Sequence, residues 1–261
     1  MNVALRTEGA MPAGMDPEEW AVRCDLAALY RLVAHHRMTD LIYTHISARV
    51  PAAKNGGPEH HFLINRYGVL FHRMRASDLV KVDLDGNVLE PVSRRVNAAG
   101  LTIHSAIHMA RDDLTCVVHT HTAAGIAVSA QKDGLLPISQ HALKFYGKLS
   151  YHGYEGVALD LGERERLVRD LGANRAMILR NHGLLVAGRT IPEAFNMIYY
   201  LERACQAQVA ALSGGVELVY PPEEVRLLAA SQFDGPRTLE HAQFAWESAL
   251  PLIGDGEDWR S

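Results

Sequence analysis

The stretch VVHTHTAAG, residues 117–125, places two histidines one residue apart at the end of a run of small apolar residues. A short apolar run of this kind predicts a buried strand. Alternate side chains of a strand lie on the same face, so His119 and His121 project together while Val118 and Thr120 face the other way. Such a pair either binds one metal ion or packs as two core histidines, and the stretch alone leaves both interpretations open.

A metal site needs a third ligand from elsewhere, and His182 in LRNHG (179–183) is the best candidate. It follows a short apolar strand at a sharp turn, where we expect Gly183 to supply backbone freedom. His104 and His108 form an i, i+4 pair on the helix predicted just before the first strand. For His108 the preferred interpretation is an ordinary position on the helix surface.

The bulk composition limits the classes of function. Hydrophobic residues make up 48% of the 261 residues and charged residues 21%, which is typical of a globular protein with a sizeable core. The net charge of -4 gives no basic excess, so we expect neither nucleic acid nor an anionic membrane as a partner. The chain shows neither a membrane-spanning run nor a signal-peptide pattern. Cys24, Cys116 and Cys205 lie far apart among apolar neighbours, which predicts reduced thiols in a cytoplasmic protein.

The order of predicted elements indicates one α/β domain. Residues 1–16 are rich in Gly, Pro and Met and are expected to form a flexible tail. Asp16-Pro17 is a good helix start. Residues 17–261 then read as a single domain with a helical C-terminal extension. Helices and strands do not alternate strictly and the glycine motifs of nucleotide sites are absent, which favours a mixed or antiparallel sheet over a Rossmann sheet.

Two further local predictions concern segments between these elements. The Gly- and Pro-rich stretch at 52–60 predicts a mobile loop, and Asp85-Gly86-Asn87 predicts a hairpin turn. A strand is expected around residues 156–160, before a helix over 163–171.

The histidine motifs resemble those of the class II aldolase/adducin family, and most closely its adducin-type branch. The likeness rests on HSAIHMARDDLTCVVHTH (104–121) followed by LRNHGLL (179–185), and on GLLPIS and YHGYEG between them. It extends from about Asp25 to Ala211. The resemblance implies a three-layer α/β/α fold with a mostly antiparallel central sheet. It also implies a cyclic homotetramer with its active sites between subunits.

The resemblance further implies a catalytic metal, usually zinc or manganese, bound by His119, His121 and His182. Three protein ligands leave positions open for a substrate, as in other catalytic metal sites. The implied reaction makes or cleaves a carbon–carbon bond through an enolate whose charge the ion stabilises.

Three departures from the family pattern concern the residues around this centre. Members that cleave sugar phosphates carry a catalytic carboxylate where this chain has His104, which is therefore a candidate base or fourth ligand. The phosphate-binding stretches of those members read Thr44-His45-Ile46-Ser47 and Asn97-Ala98-Ala99-Gly100 here, without the paired hydroxyls. The third loop reads Asn65-Arg66-Tyr67-Gly68, in which Arg66 is either a surface arginine or a bidentate ligand for a carboxylate, with His45 and Asn65 nearby.

A polar and aromatic stretch from Gln140 to Tyr154 corresponds to the region that supplies a proton-donating tyrosine to a neighbouring subunit in the aldolases. By position His141 is a catalytic candidate, whereas Tyr151 and Tyr154 are interpreted as interface packing.

These departures favour a small carboxylate substrate over a sugar phosphate. The hypothesis is a divalent-metal-dependent lyase that performs retro-aldol cleavage or decarboxylation of a hydroxy- or oxo-acid. One alternative is a non-catalytic, adducin-like binding module. The other is a three-histidine iron(II) oxygenase on the same fold, because three imidazoles also suit Fe(II).

Overall fold

The structure is a computed structural model that describes residues 11–51, 60–90, 95–157, 160–254 and 258–261. Residues 1–10 of the predicted tail and residues 52–59 of the predicted loop lie outside these ranges. The described residues form eight α-helices and seven β-strands. In chain order they are α1 (Pro17–His35), β1 (His45–Arg49), β2 (His61–Asn65), β3 (Leu79–Asp83), α2 (Ala98–Ala110), β4 (Cys116–Thr120), α3 (Ala123–Ser129), α4 (Gln140–Leu143), β5 (Leu149–His152), α5 (Glu163–Leu171), β6 (Ala176–Leu179), β7 (Gly183–Gly188), α6 (Ile191–Ser213), α7 (Glu223–Gln232) and α8 (Thr238–Ala249).

All seven strands belong to one sheet, in the order β3-β2-β1-β4-β7-β6-β5. Neighbouring strands run antiparallel except β5 and β6, which are parallel. The prediction of a mixed, mostly antiparallel sheet is therefore confirmed. Strand β4, which carries the first histidine of the opening stretch, lies in the middle of the sheet.

Helices cover both faces of the sheet and complete three layers. On one face Val118 belongs to a large buried cluster with residues of α1 and α6. On the other face Val117 packs in a second cluster with Ile107 of α2 and Leu171 of α5. Because side chains alternate along a strand, His119 lies on the same face as Val117, the face covered by α2 and α5. The three-layer α/β/α prediction is confirmed.

Local signals fix several element ends where they were expected. The Asp16 side chain accepts hydrogen bonds from the backbone N–H groups of Glu18 and Glu19 and caps α1, with Pro17 at its first position. The turn at Asp85-Gly86-Asn87 is present, with Gly86 at φ +92°. It is followed by a single bridge between Val82 and Val88 rather than a full second strand.

One predicted strand is displaced. In the 156–160 segment, Gly156 and Val157 form a bend and residues 158–159 lie outside the described ranges. The observed strand β5 lies upstream and pairs in parallel with β6. Its sequence LSYH is less apolar than the segment that was expected, so pairing with β6 decided its position rather than local composition.

Two other properties of the described residues bear on the class of protein. None of their helices combines the length and apolar character needed to cross a membrane. The three cysteines are buried and form no disulfide with one another.

The start of β7 lies against the end of β4, which determines where the histidines meet. Thr120 is opposite Leu184 in the β4–β7 ladder. A Cβ atom built on Gly183 would lie far inside van der Waals distance of the Thr120 carbonyl oxygen and 3.2 Å from the His121 ring. Glycine is thus required at 183 for close approach. The left-handed residue of the turn is Asn181, at φ +55°, so the expectation that Gly183 supplies backbone freedom is wrong.

Gly183→Ala should therefore destabilise the fold by about 1–3 kcal/mol, the usual range for overpacking a well-packed interior. Gly153→Ala is a matched control, since a Cβ there meets no atom within 4 Å and its φ is not positive. Urea unfolding of the two variants and the wild-type chain measures the difference. Equal midpoints for both variants would contradict the contact between β7 and β4.

Candidate metal centre

Three histidine rings converge at the C-terminal end of β4, the central strand of the sheet. His119 lies within β4, His121 directly follows its last residue, and His182 lies in the three-residue turn between β6 and β7. The Nε2 atoms of His119 and His121 are 2.8 Å apart, and those of His121 and His182 are 2.9 Å apart. The ligand nitrogens of these three histidines all lie within 4.8 Å of one another. In the described part of the chain, no other group of three or more His, Cys, Asp or Glu side chains could hold a metal ion in this way.

Hydrogen bonds on the far side of two rings determine where their protons lie. The Nδ1 atom of His119 is 2.9 Å from the Leu184 carbonyl oxygen, and that of His121 is 3.0 Å from the Asp40 carboxylate. A carbonyl and a carboxylate only accept hydrogen bonds, so each Nδ1 donates its N–H. In the neutral rings the Nε2 lone pairs then face each other across the cluster.

This arrangement fits a divalent cation. Two nitrogen lone pairs at hydrogen-bond distance repel one another unless a proton or a cation lies between them, and here both ring protons are engaged elsewhere. Imidazole nitrogens are ordinary ligands of zinc and of other divalent transition metals. Metal-binding histidines commonly donate their second N–H to a carboxylate or a carbonyl, as His121 and His119 do.

Burial keeps two of these rings in the form that binds a metal. The pKa of His119 lies well below its ordinary value because the ring is fully buried, with the nearby histidines as smaller contributors. Burial also lowers the pKa of His182 to about 4, helped by His121. Both rings are therefore neutral at pH 7, which leaves their nitrogen lone pairs available.

Asp40 was not identified from the sequence, although its carboxylate orients the His121 ring. It lies in the loop between α1 and β1, where Leu41 and Thr44 have positive φ angles of +47° and +68°. An isolated bridge between Asp40 and Tyr43 closes this tight turn. Leucine and threonine both rarely adopt a positive φ. No local sequence pattern therefore predicts the conformation that brings Asp40 to His121.

His45 lies beside the cluster on the neighbouring strand. It is opposite His119 in the β1–β4 ladder, and the two rings stack with centroids 5.7 Å apart. Its Nδ1 is buried and has no hydrogen-bond partner in the described structure. Gly100 of α2 leaves room for this ring, since a Cβ there would lie 2.6 Å from it. Burial holds the pKa of His45 well below its ordinary value, so the ring is neutral.

His104 lies deeper and is not part of the three-histidine cluster. Its Nδ1 is 2.6 Å from Ser47 Oγ, which is also 2.7 Å from His108 Nε2, and its ring meets that of His45 edge-on at 5.5 Å. His108 is fully buried against Phe62, so its interpretation as a helix-surface residue is wrong. Burial lowers the pKa of His108 to about 3 and that of His104 well below its usual range.

The other two candidates for substrate binding have different environments. Asn65 is buried at the end of β2, where its Oδ1 accepts a hydrogen bond from the Tyr30 hydroxyl at 2.9 Å. Arg66 is the next residue and is exposed. It lines an open depression together with Arg73 and Arg75. Arg75 pairs with Asp78, whereas the guanidinium groups of Arg66 and Arg73 have no ion pair among the described residues.

The structure does not bring His141 to the cluster within one chain. Its exposed ring stacks on Tyr200 of α6, with centroids 5.1 Å apart. Tyr154, which was interpreted as interface packing, is exposed and lies edge-on to His182 at 6.3 Å. Among the described tyrosines, Tyr154 is the one whose ring contacts a ring of the three histidines.

Comparison with known proteins identifies the family. The family described as Class II Aldolase and Adducin N-terminal domain matches residues 24–209. A Pseudomonas aeruginosa protein provisionally named an aldolase class 2 protein is 50% identical over 241 residues, covering 91% of each chain. Alpha-adducin of Rattus norvegicus is 44% identical over 208 residues, which is 78% of this chain but 28% of the adducin.

Two solved structures share the fold along almost the whole chain. An aldolase II superfamily protein from Pseudomonas syringae is 54% identical with a TM-score of 0.86, covering 95% of this chain and 98% of its own. An L-fuculose 1-phosphate aldolase from Glaciozyma antarctica is 28% identical with a TM-score of 0.81, covering 98% of both. With the three-layer fold and the extent of the family match, they show that this chain belongs to the class II aldolase/adducin family.

Proposed function

We propose that this protein is a divalent-metal-dependent lyase that cleaves a carbon–carbon bond in a hydroxy- or oxo-carboxylate. The observation that carries the proposal is the convergence of three Nε2 atoms, two of them on rings whose Nδ1 protons are donated elsewhere. His119, His121 and His182 would hold the ion, zinc or manganese by family resemblance. When bound, it would act as a Lewis acid that stabilises negative charge on a substrate oxygen.

The remaining residues would bind and orient the substrate. Arg66 and Arg73 line a depression and form no ion pair among the described residues, while Asp78 on the same depression is paired with Arg75; this supports an anionic substrate group there. The depression is lined in part by Arg66, Tyr67 and Gly68, which belong to the loop where sugar-phosphate members carry Thr-Pro-Thr/Ser-Gly. In retro-aldol cleavage a carboxylate held at Arg66 would stay on one of the two fragments, whereas in decarboxylation it would leave as carbon dioxide; both reactions leave an enolate on the retained fragment. Asn65 would act by fixing the start of this loop through Tyr30.

Proton transfer is proposed for His45 and His104. Both rings are neutral and each has one buried nitrogen without a partner in the described structure, Nδ1 of His45 and Nε2 of His104. A neutral imidazole can accept a proton near pH 7 when a developing charge raises its basicity. His141 is proposed to act only in an assembled homotetramer, where a neighbouring subunit would supply it to the site. The buried cysteines support a cytoplasmic location.

A second candidate function is a binding module without turnover. The 44% identity to alpha-adducin favours it, because that relative shares the domain within a much longer protein. An iron(II) oxygenase remains the third hypothesis. Elemental analysis with assays for aldehyde release, carbon dioxide release and oxygen uptake on a panel of hydroxy- and oxo-acids distinguishes the three.

His119→Ala should remove a ligand that β4 holds in place. Bound metal should fall at least tenfold and lyase activity should be abolished, while the circular dichroism spectrum keeps its helical signal. His241→Ala is the matched control, because His241 is exposed on α8, beyond the end of the family match at residue 209. Wild-type metal content in the His119→Ala protein would contradict the proposed ligand set. Metal binding without activity in the wild-type chain would favour the binding module.

Asp40→Asn tests the orientation of His121 separately from its ligation. The amide keeps the size of the carboxylate but loses its charge, so the affinity for Zn²⁺ should fall about 10- to 100-fold, as for other residues that support metal ligands. Competition with a chromophoric chelator measures this affinity without an activity assay. Asp133→Asn, at an exposed position, should bind Zn²⁺ as the wild-type chain does. Unchanged affinity in Asp40→Asn would show that His121 needs no carboxylate partner.

A further inference from the structure

A second pocket lies where the C-terminal helices meet the body of the fold. It encloses about 240 Å³, and none of the three clustered histidines lines it. Its body side comes from the segment after α4 and from α6, with Lys144, Phe145, Asn196 and Met197. The opposite wall includes Phe233 and Asp234 after α7, beyond the end of the family match at residue 209. The pocket therefore joins the family domain to its C-terminal extension.

The charged groups around this pocket are paired, with one exception. Arg175 forms ion pairs with Glu193 and with Asp234, and Lys148 pairs with Asp234 at 3.0 Å. Lys144 forms no ion pair with a carboxylate in the part of the chain that the structure describes. Its ammonium donates to Asn196 Oδ1 and lies 4.7 Å from the centre of the Tyr200 ring.

A half-buried ammonium that forms no ion pair among the described residues favours an anion beside it. Burial lowers the pKa of Lys144 to about 8, with nearby Glu193 opposing the shift. Lys144 thus remains mostly protonated at neutral pH. The carboxylate of Glu193 is already engaged by two arginines, Arg175 and Arg189, and by a backbone N–H group.

The side-chain amide of Asn196, next to Lys144, can supply a second hydrogen-bond donor for an anion. An ammonium group only donates hydrogen bonds, so the Asn196 oxygen must face Lys144 and its Nδ2 must face away. That Nδ2 has no hydrogen-bond partner among the described residues. The ammonium and the amide both belong to residues that line the pocket, and Phe145, Met197 and Phe233 provide apolar walls.

We propose that this pocket binds a short-chain carboxylic acid, with its carboxylate at Lys144 Nζ and Asn196 Nδ2 and its carbon chain against the apolar walls. The volume of about 240 Å³ leaves room for a small organic acid, and an acid of four or five carbons is chosen for the test. The apolar walls favour such an acid over inorganic phosphate. Because the two sides of the pocket come from the body and the extension, a bound acid would strengthen their contact.

Isothermal titration of the full-length protein with butyrate tests the site. The wild-type chain should bind one butyrate per chain, and Lys144→Gln should weaken binding at least tenfold. Lys132→Gln removes the same charge from an exposed position and should leave binding unchanged. Butyrate bound at the histidine cluster would survive Lys144→Gln, so unchanged binding in that variant would overturn the proposal, as would no saturable binding in the wild type.

A second measurement needs no variant and decides the matter if Lys144→Gln fails to fold. Acetic anhydride labelling followed by mass spectrometry gives the acylation rate of each lysine. Saturating butyrate should slow acylation of Lys144 at least fivefold and leave that of Lys132 unchanged. The same rate at Lys144 with and without butyrate would also overturn the proposal.

Discussion

The candidate site depends on two hydrogen bonds made on the side of the histidines that faces away from the cluster. His119 donates from Nδ1 to the Leu184 carbonyl, and His121 donates from Nδ1 to Asp40. These bonds leave the lone pairs of two Nε2 atoms, those of His119 and His121, facing each other with the atoms 2.8 Å apart. The backbone makes the first bond possible, because Leu184 follows Gly183, the residue that lets β7 approach β4. A change in that approach would shift the carbonyl and the His182 turn together.

The helix beside the cluster, α2, presents a neutral side chain at the position where a carboxylate was expected from the family pattern. Where sugar-phosphate members carry a carboxylate on the helix, this chain has His104, which is hydrogen-bonded to Ser47 and fully buried. A neutral histidine next to His45 cannot repel an anionic substrate as a carboxylate would. Arg66 and Arg73, which have no ion pair within the described ranges, act in the same direction. Together these residues are consistent with the carboxylate substrate proposed above.

Much of the fold could be predicted because its signals are local or periodic. The cap of α1, the helix that carries His104 and the strand that carries His119 each follow from a few adjacent residues. The order of elements favoured a mixed or antiparallel sheet, whereas the three-layer arrangement came from family resemblance, since periodicity alone could not decide how the layers pack. The position of β5 was missed because pairing with β6 outweighed the more apolar segment downstream.

In the candidate site, the sequence reveals residues whose chemistry is conspicuous and misses those defined by conformation. The spacing of His119 and His121 and the turn at His182 draw attention to the three imidazoles. Asp40 could not be found in the same way, because it reaches His121 from a loop with positive φ angles at Leu41 and Thr44. The burial of His108 was also missed, since the two faces of a helix rich in alanine and isoleucine look alike in sequence.

Anomalous X-ray diffraction from crystals of this chain, recorded on both sides of the zinc, manganese and iron absorption edges, locates and identifies a metal bound to the three histidines. We expect one strong peak bonded to Nε2 of His119, His121 and His182, with Nδ1 of His121 still against Asp40. A peak bonded through an Nδ1 atom, a peak at His104 and His108 instead, or no peak in crystals soaked with all three metals would contradict this expectation.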